Sequence, residues 1–181
     1  MRIIFVGMKG AGKTTLGQLF AKKMQVSFVD SDAYIKKIHN QERGELLLPD
    51  EIIKKYGAKY FSTLETKALK LIAKEFGSLD FVFACGGRTP LPMENQEILS
   101  NLGTIVFLEV EKGVLLQRIL ALGIPTFFPY QDDPERSLDE LLAERVPVYR
   151  RLAHITIDAS NGTSEEAVVT ILTKLRDRAK N

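Results

Sequence analysis

Hydrophobic and polar positions alternate between two patterns along this chain. Short runs rich in β-branched and aromatic residues, typical of buried strands, cover residues 2–6, 26–30, 80–84, 104–110 and 155–157. Apolar residues at helical spacing predict helices over residues 14–24, 33–40, 60–76, 112–122, 137–152 and 164–179. Strands that alternate with such helices indicate βαβ units, with helices on both faces of a parallel sheet. The pattern therefore predicts an α/β fold that binds ligands at the carboxyl ends of its strands.

Two stretches break this alternation. Residues 41–56 mix glycine and proline with charged residues, and residues 123–136 contain three prolines and the pair Phe127-Phe128. Segments of this kind often cover a substrate, so each is either a mobile cover over the site or a plain irregular loop. The two phenylalanines either cap a bound ligand or pack within the loop.

Composition narrows the class of protein but not its activity. The length of 181 residues suits one domain, and a net charge of +2 indicates neither a nucleic-acid nor a membrane surface. Cys85 is the only cysteine, so no internal disulfide and no zinc framework of the usual kind are expected. No apolar run approaches the roughly 18 residues that a membrane span needs. We expect a single domain over residues 1–181 that works in the cytoplasm as a monomer.

A phosphate-binding motif directly follows the first predicted strand. Residues Gly7–Thr14 match the pattern G-x-x-x-x-G-K-T, in which glycines let backbone N–H groups converge on phosphate oxygens. Lys13 then reaches the β- and γ-phosphates, and the Thr14 hydroxyl ligates Mg²⁺. The chain has no N-K-x-D-type guanine-reading motif, which counts against a GTPase switch. The expected nucleotide-binding residues in this motif are Gly10, Ala11, Gly12, Lys13, Thr14 and Thr15.

Acidic residues close the second predicted strand. In Asp30-Ser31-Asp32, one carboxylate can hold the Mg²⁺ shell while the other accepts a proton from a substrate hydroxyl. The alternative is that these side chains only cap the helix predicted over residues 33–40. The preceding phosphate motif favours the functional interpretation.

The order and spacing of these motifs resemble the shikimate kinase family, within the nucleoside-monophosphate-kinase-like group. Besides the phosphate motif and the acidic strand end, the resemblance rests on Phe61 with Glu65, on Gly86-Gly87 and on residues 144–151. It extends from residue 1 to about residue 158. The E-R-x-P-x-Y stretch within residues 144–151 is fairly specific to this family, whereas the phosphate motif is not.

The resemblance implies a fold and an activity. The fold is the P-loop NTPase fold, a three-layer αβα sandwich with a five-stranded parallel sheet. A helical insert at residues 33–65 would bind the substrate, and a lid would lie at residues 122–136. The implied reaction uses ATP and Mg²⁺ and transfers the γ-phosphoryl group to a ring hydroxyl of shikimate, a step of aromatic amino-acid biosynthesis.

The resemblance also implies roles for single residues. Asp32 would contact the accepting hydroxyl and act with Lys13 in catalysis, and Asp30 would lie near Mg²⁺. Arg145 would bind the substrate carboxylate, and Arg118 would lie against adenine. Backbone close to the substrate is implied at Gly86 and Gly87. From the residues alone, an arginine on a helix such as Arg118 is equally a solvated side chain.

Three positions depart from the family pattern. Ser62 stands where the family usually has an arginine that helps hold the carboxylate, and the lid has no basic residue before Arg136. A glycine triplet becomes Gly86-Gly87-Arg88. Arg88 therefore either replaces the missing arginine at the carboxylate, or marks a pocket for another small hydroxylated acid or sugar, or is a surface residue. A protein that binds nucleotide but has lost transfer activity is the remaining hypothesis.

Overall fold

A computed structural model describes residues 1–180 and contains one sheet of five parallel strands. The strands are β1 (Arg2–Val6), β2 (Ser27–Asp30), β3 (Phe81–Ala84), β4 (Thr104–Glu109) and β5 (Ile155–Asp158). Their order across the sheet is β2-β3-β1-β4-β5. All five predicted strands are present, with boundaries that differ from the prediction by one residue at most.

Residues 1–180 form seven helices, of which six cover the two faces of the sheet and one, the second, packs against the third. They are α1 (Lys13–Met24), α2 (Ser31–Arg43), α3 (Pro49–Phe76), α4 (Met93–Leu102), α5 (Lys112–Ala121), α6 (Pro134–Leu152) and α7 (Ser164–Lys180). Helices α1 and α7 pack on one face, and α3 to α6 pack on the other. The αβα sandwich with a five-stranded parallel sheet is therefore confirmed.

The central strand shows why the sheet needs helices on both sides. In β1, Ile3 and Phe5 face one layer while Ile4 and Val6 face the other, and all four side chains are fully buried. An apolar strand of this kind is stable only when both faces are covered, as in other parallel sheets. Because the strands are parallel, the segments that follow β1, β2 and β3 all leave the sheet at one edge.

The interpretation of residues 41–56 as a plain irregular loop was wrong, because most of that stretch is helical, whereas its role as a cover over the site stays a prediction. Helix α2 continues to Arg43, and α3 begins at Pro49, where the Leu48 N–H donates to Glu51 Oε2 at 2.6 Å. Proline at the first helical position favours the start of a helix. So does a glutamate that accepts from the backbone N–H three residues before it. Gly57 then interrupts α3 with a left-handed φ of 83°.

The rest of the chain follows the pattern more closely. The sequence pattern predicts no helix where the structure has α4. Pro92 precedes this helix, and its Leu99 and Leu102 side chains are buried. Residues 123–133 are irregular as predicted, and α6 then begins at Pro134. Within residues 1–180, no helix is long and apolar enough to cross a membrane.

The junction between α4 and β4 requires a glycine. A Cβ on Gly103 would lie 2.6 Å from the Arg2 carbonyl oxygen, whereas a Cβ on Gly113 in α5 meets nothing within 4 Å. We expect Gly103→Ala to lower the free energy of unfolding by about 1–3 kcal/mol, since backbone must shift to admit the methyl group. Gly113→Ala, the matched control, is expected to be neutral or stabilising by up to about 1 kcal/mol. Urea unfolding of both variants tests this, and equal stabilities would contradict it.

Candidate active site

A cavity of about 800 Å³ lies at the carboxyl edge of the sheet. The phosphate loop and the ends of β2 and β3 form its floor, and α3, α5, α6 and the loop before α6 form its walls. The predicted site residues that line it are Gly10, Gly12, Lys13, Thr14, Thr15, Asp30, Asp32, Gly86, Gly87, Arg88, Arg118 and Arg145. The fold therefore brings together residues that are far apart in the sequence.

The phosphate loop has the backbone geometry that its glycines allow. Gly10 and Gly12 have left-handed φ values of 84° and 89°, and Gly12 is the residue from which α1 begins. Such a loop at a helix N-terminus is a ready anion site. Ala11 is the exception among the predicted residues, because it does not line the cavity. Its side chain is only 2% exposed, and its N–H donates to the Met8 carbonyl at 3.1 Å.

Lys13 lies within the loop and has internal partners. Its Nζ donates to the carbonyl oxygens of Gly7 at 2.9 Å and Met8 at 2.8 Å. Burial lowers the pKa of Lys13 to about 8, although the carboxylates of Asp30 and Asp32 oppose the shift. The ammonium is therefore mainly protonated at neutral pH and is placed to exchange these carbonyls for phosphate oxygens.

Asp30 serves both as a helix cap and as a possible metal ligand. Its Oδ1 accepts from the Asp32 N–H at 2.9 Å, and its Oδ2 accepts from the Thr14 hydroxyl at 3.0 Å. The cap and the functional interpretation are thus compatible in one side chain. Mg²⁺ is held in such sites by one or two protein oxygens together with water and phosphate oxygens. The donor pair of Thr14 and Asp30 fits that chemistry.

Asp32 is more basic than an ordinary aspartate. Burial, and then the charge of Asp30, raise the pKa of Asp32, while Lys13 and Lys9 oppose the shift. Among residues 1–180, its carboxylate has no side-chain hydrogen-bond partner. The N-terminus of α2 is capped by the Asp30 side chain instead. A cavity carboxylate with a raised pKa is suited to accept a proton from an alcohol.

Arg145 is a buried cation with an unused donor. Its side chain is 2% exposed, and its Nη2 has no hydrogen-bond partner within the described part of the chain. The carboxylate of Glu144 lies 3.5 Å from the Nε atom. The Gly87 backbone passes close by, since a Cβ on Gly87 would lie 3.6 Å from Arg145 Nη1. A buried guanidinium with a free nitrogen is poised for an anionic ligand, which it can bind bidentately.

Arg88 and Arg118 lie at different parts of the cavity. Arg118 donates to the carbonyl oxygens of Ala159 at 3.0 Å and Ser160 at 2.9 Å, so its guanidinium is held in place and is not a freely solvated group. Arg88 is half-buried and, among residues 1–180, forms neither an ion pair nor a side-chain hydrogen bond. Its charge opposes the rise in the pKa of Glu65 that burial causes, so the two side chains lie near each other. Ser62 does not line the cavity.

Comparison with known proteins identifies the family. A family model described as shikimate kinase matches residues 9–176. The chain belongs to the shikimate kinase family. One curated family member, the shikimate kinase of Sulfurihydrogenibium sp. (strain YO3AOP1), is 32% identical over 176 residues, which cover 97% of this chain and 98% of the relative.

Solved structures agree with this membership. Shikimate kinase from Acinetobacter baumannii in complex with shikimate has a TM-score of 0.85 and 31% identity, covering 98% of this chain and 93% of that one. A gluconokinase from Sinorhizobium meliloti 1021, at 19% identity and a TM-score of 0.59, shares the fold alone. The predicted shikimate kinase family and P-loop NTPase fold are therefore confirmed.

Lys9, Asp50 and Glu65 are among the cavity residues of this shikimate kinase family member that carry no predicted role. Lys9 pairs with Asp50, with 2.8 Å between Nζ and Oδ2, across the gap between the phosphate loop and α3. Glu65 is part of the family resemblance, yet no role was inferred for it from sequence. Its position is now clear, because its Oε1 accepts from the Thr89 hydroxyl at 2.8 Å beside Gly86.

Glu65 predicts a pH dependence of stability. Burial raises the pKa of Glu65 from its usual 4.5 to about 7, against the opposing effects of Thr89, Arg88 and Arg145. The folded protein therefore binds this proton more tightly than the unfolded chain does, and stability falls as pH rises from about 4.5 through 7. We expect Glu65→Gln to match the wild type near pH 4.5 and to exceed it by up to about 3 kcal/mol at pH 8.

Urea unfolding at the two pH values measures this difference. Glutamine keeps an oxygen that can accept from Thr89, so the substitution removes the charge and little else. Glu97→Gln, at an exposed position of α4, is the control and should give no such pH dependence. A stability difference that is the same at both pH values would rule out the buried charge as its cause.

Proposed function

We propose that this protein transfers the γ-phosphoryl group of ATP to a ring hydroxyl of shikimate, with Mg²⁺ as the metal ion. The observation that carries the proposal is the buried Arg145 guanidinium, with an unpartnered nitrogen, in the same cavity as Asp32 and the phosphate loop. Shikimate combines a carboxylate with ring hydroxyls, and the two ends match Arg145 and Asp32. The shikimate bound to the Acinetobacter baumannii relative supports the same assignment.

Each residue has a role that follows from its position. The phosphate-loop amides and Lys13 hold the phosphates, and Arg118 forms a fixed surface for adenine. Arg145 orients the acceptor through its carboxylate, and the backbone of Gly86 and Gly87 lies alongside. Asp32 takes the proton of the attacking hydroxyl. Thr14 and Asp30 would hold Mg²⁺, which neutralises charge on the phosphates when bound.

The covering segments and the working state of the protein belong to the same proposal. Within one domain over residues 1–181, residues 33–65 form the substrate-binding insert and residues 122–136 form the lid. The working state that we propose is a monomer. The substrate is a small metabolite, and we place the protein in the cytoplasm.

A second acceptor is favoured by one observation. Ser62 does not reach the cavity, and residues 122–135 contain no lysine or arginine, so two cations of the family pattern are missing around the acceptor. Another small hydroxylated acid or sugar is therefore the alternative substrate. Arg88 distinguishes the two possible acceptors. If shikimate is the acceptor, Arg88 replaces the cation that is missing at position 62.

The proposal is tested by ADP release in the presence of ATP and Mg²⁺. We expect shikimate to stimulate ADP release and EDTA to abolish the stimulation. Other small hydroxy acids and sugars are assayed in parallel at the same concentrations. No stimulation by shikimate at millimolar concentration would refute it as the acceptor, and stimulation by another compound would establish the alternative.

Two arginine variants test how the acceptor carboxylate is held. A hydrogen bond to a charged group contributes roughly 1.5–3 kcal/mol, so Arg145→Met and Arg88→Ala should each raise the acceptor KM roughly 10- to 150-fold. The KM for ATP should stay within a few-fold. Arg150→Met, on the same helix as Arg145 but exposed and outside this cavity, is the control. An unchanged acceptor KM would remove the arginine concerned from the carboxylate site.

A further inference from the structure

The phosphate loop of this protein contains a second lysine, Lys9. It lines the same cavity as Lys13 and Asp32, and its side chain is 38% exposed. Its Nζ lies 2.8 Å from Oδ2 of Asp50, in the first turn of α3, and that carboxylate is 39% exposed. An ion pair this exposed contributes little to stability, so a phosphate group can displace Asp50 at little cost.

The remaining cations of the cavity have other partners or positions. Arg118 is held by two carbonyl oxygens of the loop after β5, and Lys13 lies inside the phosphate loop. Arg145 and Arg88 are at the acceptor side, beside the Gly86-Gly87 turn, where a Cβ on Gly87 would lie 3.6 Å from Arg145 Nη1. Lys9 lies instead between the phosphate loop and α3, and it lines the same cavity as Asp32. Among the described residues, Lys9 is therefore the cation on the phosphate-loop side of this cavity whose only ion-pair partner is an exposed carboxylate.

The lid presents an aromatic ring at this point and no cation. The ring centroid of Phe127 is 5.6 Å from Lys9 Nζ and 5.5 Å from the guanidinium carbon of Arg145. Next to it, the Thr126 hydroxyl lies 3.4 Å from the Asp50 carbonyl oxygen, which joins the lid to the start of α3. Phe127 is thus placed between a cation of the nucleotide side and a cation of the acceptor side. Its ring can hold an ammonium by a cation–π contact, although it carries no charge itself.

We propose that Lys9 leaves Asp50 when ATP and the acceptor bind, and that it then supplies to the transferring phosphoryl group a positive charge that residues 122–135 of the lid lack. This rests on the proposed kinase activity. In the step itself, the bond between the γ-phosphorus and the β,γ-bridging oxygen breaks, and its electron pair stays on ADP. A bond forms from the γ-phosphorus to the acceptor oxygen, whose proton passes to Asp32. Lys9 takes no part in the proton transfer, and its ammonium neutralises charge on the phosphoryl oxygens.

Substitutions at Lys9 separate this role from a structural one. We expect Lys9→Met to lower kcat roughly 10²- to 10³-fold with the KM for ATP within a few-fold, because one charge is lost in the transition state. Lys9→Arg keeps the charge and should recover most of that loss. Lys112→Met is the matched control and should leave kcat unchanged, since Lys112 is also 38% exposed and forms a similar ion pair with Asp139 at 2.8 Å but lies outside the cavity.

Asp50→Asn decides whether the ion pair itself matters. This variant removes the carboxylate charge opposite Lys9 but leaves the ammonium in place, so kcat should stay within a few-fold of wild type. A loss equal to that of Lys9→Met would overturn the proposal, because the pair would then be structural. A raised acceptor KM in Lys9→Met without a loss of kcat would also overturn it, since Lys9 would then only bind the acceptor.

A second measurement is independent of the acceptor. Tetrafluoroaluminate with ADP and Mg²⁺ mimics the transferring group, and wild-type protein should bind ADP more tightly in its presence. Lys9→Met should lose at least tenfold of that gain while its affinity for ADP alone changes little. If no acceptor stimulates ADP release but this loss is seen, the proposed substrate is wrong and the role of Lys9 stands. If tetrafluoroaluminate raises the ADP affinity of Lys9→Met as much as that of wild type, the role of Lys9 is refuted, and the proposed kinase activity is not affected.

Discussion

Asp30 pairs with Ala84, and Ala84 pairs with Phe5, in three adjacent parallel strands. This register means that the phosphate loop, the start of α2 and the Gly86-Gly87 turn leave the sheet side by side. A strand that slipped by one residue would turn its buried side chains to the opposite face, so the register is fixed by the core. The distance between the phosphate loop and the Gly86-Gly87 turn is therefore set by the packing of the sheet.

Within that frame, the site places buried charges of both signs near one another. Lys13 and Arg145 are cationic, while Asp32 and Glu65 are acids whose pKa burial raises. An isolated charge in such a place would be costly, and each group partly offsets the burial of the others. The arrangement stabilises the fold less than apolar packing would. It provides instead a cavity whose charged groups are already largely desolvated before a ligand binds.

Much of this could be read from the sequence because the deciding signals are local. The strands are short apolar runs, and the phosphate motif fixes its own backbone through glycines. The start of α3 was missed because the proline and glycines nearby suggested a break, whereas Glu51 caps the helix and Gly57 merely kinks it. The site residues without a predicted role depend on contacts between distant segments. The position of the Lys9 side chain depends on Asp50, and that of Glu65 depends on Thr89. Neither pair forms a recognisable sequence motif.

The internal bonds of Lys13 affect what nucleotide binding involves. Because Nζ already donates to two loop carbonyls, a polyphosphate bound as we propose would exchange these contacts for its own oxygens and add few new ones. Burial lowers the pKa of Lys13 to about 8, and a polyphosphate favours the ammonium form. In the proposed kinase, nucleotide binding near that pH would therefore be accompanied by uptake of a fraction of a proton, which returns to solvent when ADP departs. The proposed function thus couples proton uptake and nucleotide occupancy through a single amine.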